Sequence, residues 1–192
     1  MTTSTEEKPQ RTARRRLLDA ADELFYAEGV QTVGIDRIIE HAGVAKASLY
    51  NSFGSKEELV AAYLDERADR IRARLSAAVA RVDDPRKKIL AIFDAQAAVV
   101  ETRGYRGCAF VAAATEAPRG GMVEQTTDDQ RGWIRNLFTD LAAEAGARRP
   151  RQLAEQLQMI YDGCSISVRM DRDPAIVRSA RVAAAALLDS QL

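Results

Sequence analysis

Apolar residues recur along this chain at intervals of three and four positions, which is the period of a helix with one buried face. The first such stripe lies between about residues 12 and 28 and contains Leu17, Ala21, Leu24 and Phe25. Further stripes follow as far as the C-terminus, and glycine, proline or aspartate residues separate many of them. The pattern predicts an all-α protein of about nine helices.

The segment 35–53 predicts two short helices joined by a tight turn. The first helix would bury four apolar residues at helical spacing, Ile35, Ile38, Ile39 and Ala42. Gly43 follows them and can adopt the left-handed backbone conformation that ends a helix. The second helix would bury Val44, Leu49 and Phe53. This layout is typical of a helix-turn-helix.

The outward face of the second short helix has a distinctive composition. Its residues are small, polar or positively charged: Ala45, Lys46, Ala47, Ser48, Tyr50 and Asn51. No carboxylate occurs anywhere from residue 42 to residue 56. Such a face suits a recognition helix that enters the DNA major groove, where side chains contact base edges and phosphates. An ordinary helical hairpin with a solvated face explains the pattern equally well.

The run AGVAKASLYNSFGSKEEL, with the preceding GVQTVGIDRII, resembles the DNA-binding domain of the TetR family of one-component bacterial regulators. The matching positions are Gly29, Ile38, Ile39, residues 42–44, Lys46, Leu49, Tyr50, Phe53 and residues 55–59. The resemblance covers roughly residues 11–60. One departure is Gly34, which stands at the start of the second helix where the family usually has Ser or Thr.

The resemblance implies a three-helix DNA-binding head in residues 1–54, with a disordered tail in residues 1–10. A helical-bundle body that binds a ligand and forms the dimer would occupy residues 55–192. The candidate DNA-binding residues are Arg37, Ala45, Lys46, Ala47, Ser48, Tyr50, Asn51 and Lys56. Among them, Lys46, Tyr50 and Lys56 are expected on phosphates, and Ala47, Ser48 and Asn51 on base edges.

Bulk charge neither supports nor excludes DNA binding, because the formal net charge of the chain is zero. Residues 1–60 hold eight Lys and Arg against ten Asp and Glu, so the argument depends on where the charges lie. Arg11, Arg14, Arg15 and Arg16 crowd the start of the first helix, where positive charge opposes the helix dipole. A phosphate partner and a solvated basic end explain this cluster equally well.

The body begins with a long helix. Ser55 and Glu58 form a capping box that would open it, and the helix should continue to about Asp83, roughly 40 Å. Asp173 is the expected N-cap of the last helix. Repeated alanines there would allow another helix to approach closely, so the last two helices could pair across a two-fold axis. They could equally cap the core of their own subunit, but the TetR resemblance favours a homodimer through these two helices.

A small-molecule site in the body rests on large or polar-tipped residues from different helices. The candidates are Phe93, Gln96, Phe110, Trp133, Leu137 and Tyr161. Apolar walls with a few polar tips are the usual construction of such a site. Taken alone, each such residue is more often simply part of the core; the resemblance implies that the body holds an effector.

Other classes of function have little support in the sequence. The single histidine, His41, has no second metal-ligand candidate nearby, and no catalytic motif or cofactor site is recognisable. Cys108 and Cys164 lie in apolar runs, which favours buried packing. No signal peptide or long apolar run appears, so a cytoplasmic location without membrane contact is expected.

The sequence therefore predicts a TetR-like dimeric transcriptional regulator, a repressor that a small, apolar effector releases from a palindromic operator in double-stranded DNA. The alternative is a helical small-molecule-binding or interaction protein without DNA binding. The effector, the operator sequence and the sign of regulation do not follow from the sequence.

Overall fold

A computed structural model describes residues 12–192. The predicted disordered tail, residues 1–10, and Arg11 lie outside the described residues. Within 12–192 the chain forms nine helices and no strand, so the all-α prediction is confirmed. The helices are α1 (Ala13–Glu28), α2 (Ile35–Ala42), α3 (Lys46–Phe53), α4 (Lys56–Val79), α5 (Pro85–Val100), α6 (Ala109–Glu116), α7 (Met122–Glu144), α8 (Pro150–Asp171) and α9 (Ile176–Gln191).

The chain divides into two compact units. One ends at Tyr63 and the other runs from Leu64 to Leu192. The division falls inside α4, whereas the sequence predicts a boundary between residues 54 and 55. Residues 56–63 of α4 therefore belong to the first unit and residues 64–79 to the second.

In the first unit, α2 and α3 form the predicted helix-turn-helix. Gly43 has φ 60° and ψ 45°, the left-handed conformation that glycine adopts without steric cost, and its N–H donates to the Glu40 carbonyl. Ile38 and Leu49 are fully buried, so each short helix is held by its apolar side. Ile35 and Ile39 flank Ile38 and are only half-buried, because α2 presents a narrower face to the core than its four apolar residues suggest.

The start of α4 has the predicted cap, but its end differs from the prediction. The Ser55 hydroxyl oxygen accepts a hydrogen bond from the Glu58 N–H at 3.1 Å. The helix ends at Val79, not near Asp83, because the N–H of Val82 donates to the Val79 carbonyl in a tight turn. Asp84 then caps α5 through the Lys87 N–H at 2.7 Å. At 24 residues α4 is about 36 Å long, shorter than predicted.

The second unit has a core built by α5, α7, α8 and α9 with residues from α4. Ala180 and Ala184 of α9 belong to this core, and Ala184 is fully buried. Ala184 is one of the repeated alanines expected to face a partner helix, and for this residue the expectation is wrong, because its small side chain lets α9 approach its own subunit. Asp173 is not the N-cap of α9: its carboxylate accepts from the Ala175 N–H at 2.8 Å, and Ala175 takes the cap position.

Candidate functional site

The outward face of α3 is open to solvent. Ala45, Lys46, Ala47, Tyr50 and Asn51 are exposed, and Ser48 is half-buried. Leu49 and Phe53 point the other way into the core of the first unit, so the helix is held rigidly by one side. The structure thus brings the predicted base-edge and phosphate residues of α3 together on one continuous surface, free of carboxylates from α3 itself.

Carboxylates from other helices nevertheless reach the cations of this surface. Lys46 Nζ lies 2.9 Å from Asp36 Oδ1 on α2, and the hydrogen bond and charge of Asp36 raise the pKa of Lys46. Arg37 Nη2 lies 2.7 Å from Glu28 Oε1 on α1. Residues 42–56 contain no acidic residue, but the fold brings Asp36 and Glu28 from outside this segment next to the cations of the surface. These ion pairs are exposed and therefore weak, so a phosphate can compete for either cation.

Lys56, the last DNA-binding candidate, and His41 both have partners in the first unit. Lys56, in the first turn of α4, donates from Nζ to the Gln31 carbonyl at 3.4 Å. His41 is exposed, and its Nε2 lies 2.8 Å from Oε2 of the exposed Glu23.

The arginines at the start of α1 have partners within the first unit. The Arg14 guanidinium lies 4.9 Å from the centre of the Phe53 ring, and Arg15 Nε donates to Asp19 Oδ1 at 2.8 Å. Arg16 Nη1 donates to the Gly43 carbonyl at 3.1 Å, which ties α1 to the turn between α2 and α3. The helix start is also capped, since the Thr12 hydroxyl accepts from the Arg15 N–H at 3.2 Å. Arg14 and Arg16 therefore contact the helix-turn-helix, and the three described arginines have partners rather than forming a frayed basic end.

In the second unit, three aromatic rings from three helices meet. The centroids of Phe93 on α5 and Phe138 on α7 are 6.0 Å apart, and the Tyr161 ring on α8 lies 6.2 Å and 6.3 Å from them. Burial raises the pKa of Tyr161, so its hydroxyl stays protonated. Phe93 and Tyr161 are among the candidate ligand residues predicted from the sequence, and Phe138 is not.

Trp133 and Leu137 pack against the core that contains these rings, whereas Phe110 is buried outside that core. Gln96 is buried, and its Nε2 donates to the Tyr161 carbonyl at 2.9 Å and to the Ser165 hydroxyl at 3.0 Å. Phe110 is buried on α6. Trp133 and Leu137 are half-buried on α7, and the Arg72 guanidinium lies 5.9 Å from the centre of the Trp133 ring. Gln96, Phe93 and Tyr161 are therefore direct neighbours.

Polar side chains link α7 to α4 and to α8, and the sequence did not predict these contacts. Arg72 Nε donates to Gln130 Oε1 at 3.0 Å, and Arg131 Nη1 donates to Asp162 Oδ2 at 2.6 Å. Gln130 is a polar member of the buried stripe of α7, between Thr127 and Ile134. The sequence signal for these contacts is a glutamine at a position where the residues three and four places away are buried.

The two cysteines differ in exposure. Cys164 is buried on α8, as predicted, and burial raises its pKa to about 11. Cys108, at the position that precedes α6, is half-buried, so the buried packing favoured by its apolar run is met only in part. Burial of its thiol nevertheless raises the pKa of Cys108, against the opposing effect of the Val111 and Phe110 backbone N–H groups. Neither thiol has the depressed pKa of a reactive cysteine.

Two features of residues 12–192 concern membranes and metal ions. In this range, no helix combines the length and apolar character that a membrane crossing needs. The same residues contain no group of three or more His, Cys, Asp or Glu side chains that could hold a metal ion.

The first unit carries a helix-turn-helix with an exposed α3 face, and a second helical unit follows it along the chain. This combination is typical of a one-component DNA-binding regulator. The family model described as bacterial regulatory proteins of the TetR family matches residues 17–63. A crystal structure of a TetR-family transcriptional regulator from Streptomyces coelicolor is 31% identical, with a TM-score of 0.88. The match covers 93% of this chain and 95% of that one. The chain belongs to the TetR family and is a DNA-binding transcriptional regulator.

Two curated relatives come from Mycolicibacterium smegmatis. The transcriptional activator FasR is 35% identical over 100 residues, 51% of this chain and 46% of FasR, so this chain spans less than half of FasR. The transcriptional repressor KstR2 is 25% identical over 166 residues, 84% of this chain and 81% of KstR2. Both signs of regulation thus occur among the relatives of this chain.

Proposed function

We propose that this regulator binds a palindromic operator as a homodimer, with α3 of each subunit in the major groove. The supporting observation is the exposed α3 face, where Asn51 and Ser48 are available to base edges and Lys46 and Tyr50 to phosphates. Arg37 and Lys56 lie on the neighbouring helices α2 and α4 and would contact the DNA backbone. Phosphate contacts set the register, and base contacts set the sequence preference.

The proposed dimer interface lies on α8 and α9, opposite the faces that build the subunit core. Met159, Ile166 and Met170 are exposed on α8 at spacings of seven and four, so they share one side of that helix. Val182 is exposed on α9. Large exposed apolar side chains in one row are typical of an interaction surface. A two-fold axis would pair each row with its copy in the second subunit.

In our proposal, a small and mainly apolar molecule binds in the second unit, near Phe93, Gln96, Phe110, Trp133, Leu137 and Tyr161, and releases a repressor from its operator. Repression is the simpler sign of regulation, because a dimer bound to an operator excludes other proteins from that DNA without any further contact. α4 contributes residues to both units, so it is the element through which we expect the two binding events to be coupled. A cytoplasmic location stays a prediction.

Selection of bound duplexes from a random DNA pool tests the proposal. We expect an inverted repeat whose half-sites are separated by one helical turn, about 34–36 Å, or a multiple of it. Asn51→Ala should alter the preferred base at one position in each half-site, with a loss of about 1–3 kcal/mol in discrimination if Asn51 reads that base directly. Recovery of no enriched sequence would favour the alternative, a helical ligand-binding protein without DNA binding.

A further inference from the structure

Two buried glutamines of the second unit each leave one amide atom without a hydrogen-bond partner. Gln96 is 4% exposed and Gln130 is 2% exposed. The unpaired atoms are Oε1 of Gln96 and Nε2 of Gln130. Buried amide groups are almost always paired, because an unpaired one loses its bonds to water without replacement. These two atoms are therefore candidates for contacts with a bound molecule.

The chemistry of the partners fixes which amide atom is unpaired. Gln96 faces the Tyr161 carbonyl, which can only accept, so the amide nitrogen must point there and the oxygen remains free. Gln130 faces Arg72 Nε, which can only donate, so the amide oxygen must point there and the nitrogen remains free. The interior consequently offers one acceptor at Gln96 and one donor at Gln130, and neither amide can be flipped without loss of a bond.

The packing of α5 against α7 gives the offset of the two amides along the helix axis. α5 and α7 are antiparallel, because Lys88 pairs with Glu144 at 2.7 Å and Phe93 packs on Phe138. Continuing this register, Gln96 lies level with about residue 135 of α7, so it is about five residues, or about 7.5 Å, from Gln130 along the helix axis. A molecule the size of a single aromatic ring with one substituent, together with the reach of the two side chains, can span this interval.

We infer that the effector is a neutral molecule that carries both a hydrogen-bond donor and a hydrogen-bond acceptor, such as a carboxamide, on an aromatic or aliphatic body. Its donor would bind Gln96 Oε1, its acceptor would bind Gln130 Nε2, and its body would lie against the Phe93 and Tyr161 rings. A carboxylate fits less well, because it brings only acceptors to the Gln96 oxygen. This inference rests on the proposed effector site in the second unit.

Three probes of similar size separate these chemistries: benzamide has a donor and an acceptor, benzoate only acceptors, and toluene neither. Their binding to the full-length protein without DNA can be followed by Trp133 fluorescence and by the rise in Tm. We expect benzamide to bind at least about tenfold more tightly than the other two, a difference of about 1.4 kcal/mol. Equal binding of toluene or benzoate, or no binding of benzamide at millimolar concentration, would overturn the inference.

An isosteric variant tests the role of the Gln130 nitrogen. Gln130→Glu keeps an oxygen for Arg72 and replaces the free donor with a charged oxygen that can only accept, so it should lose at least about tenfold in benzamide affinity. Should that variant not fold, Gln130→Met removes the donor without adding charge and should lose the same affinity. Benzamide affinity equal to that of wild type in whichever variant folds would contradict the assignment.

Gln158→Glu is the matched control. Both amide atoms of Gln158 are already paired, with Arg135 Nε at 2.9 Å and the Arg131 carbonyl at 3.1 Å. This variant should therefore lower Tm and leave benzamide affinity unchanged. DNA binding is measured on the ligand-free protein, so a failure of probe binding leaves the proposed regulator untouched, and a failure of DNA binding leaves the probe result interpretable.

Discussion

Lys46→Ala should weaken DNA binding in a way that identifies Lys46 as a phosphate contact. Each phosphate that a protein neutralises contributes about 0.9 to the slope of log affinity against log salt. Between 50 and 200 mM salt, one such contact accounts for about a 3.5-fold loss of affinity. The variant should therefore bind more weakly at low salt, and its affinity should fall about 3.5-fold less than that of wild type over this range.

Asp36→Asn is the companion variant, because the structure pairs Lys46 Nζ with Asp36 Oδ1 at 2.9 Å. If Lys46 exchanges Asp36 for a phosphate when DNA binds, removing the carboxylate should raise affinity and leave the salt slope unchanged. If the ion pair instead holds Lys46 away from DNA, Asp36→Asn should add about 0.9 to the slope and Lys46→Ala should not change it. That second pattern would refute the assignment of Lys46.

The assay is a fluorescence-anisotropy titration of a labelled duplex taken from the selected sites, at four or more salt concentrations. Lys87→Ala serves as the control, because Lys87 is an exposed lysine on α5, in the second unit. It removes the same charge from the protein as a whole, and we expect its salt slope to equal that of wild type. A lower slope for the control would mean that net charge, rather than a local contact, determines the result.

The remaining predictions concern assembly, coupling and pH. Ile166→Glu should give monomers in sedimentation analysis with little loss of Tm, since Ile166 is 47% exposed in the single chain; Ala184→Glu should instead lower Tm sharply, because Ala184 is fully buried. An effector that shifts Trp133 fluorescence should bind more weakly with operator present, and by the same factor that it weakens operator binding; equal affinity would rule out the coupling. Burial raises the Cys164 pKa from 9.0 to about 11, so the unfolded chain loses its proton first and stability should fall between these pH values. Cys164→Ala should make that fall smaller in urea titrations.

The helices themselves could be predicted because apolar residues recur along the sequence with the helical period. Thr12, Gly43 and Ser55 mark helix ends through local hydrogen bonds or backbone angles, and local chemistry is visible in a sequence. The end of α4 was misplaced because Val82 continues the apolar spacing, although the chain has already turned. An apolar residue in phase with a helix need not belong to it.

Contacts between distant segments could not be predicted in the same way. The approach of Asp36 to Lys46 depends on the angle between α2 and α3, which no local pattern encodes. On α9, Ala180 and Ala184 are buried while Ala183 and Ala186 are exposed, so alanine alone does not distinguish the subunit core from a partner-facing side. The hydrogen bond between Arg72 and Gln130 likewise joins two helices that are far apart in the sequence.

The most direct measurement of the central claim is a hydroxyl-radical footprint of the wild-type protein on a duplex recovered by selection. A dimer with α3 in the major groove should protect two segments on the same face of the duplex, with centres one helical turn or a multiple of it apart, about 34–36 Å per turn. Asn51→Ala should weaken both segments equally, because each subunit contributes one copy of that residue. A single protected segment, or uniform protection without preferred positions, would contradict binding as a dimer through the exposed face of α3.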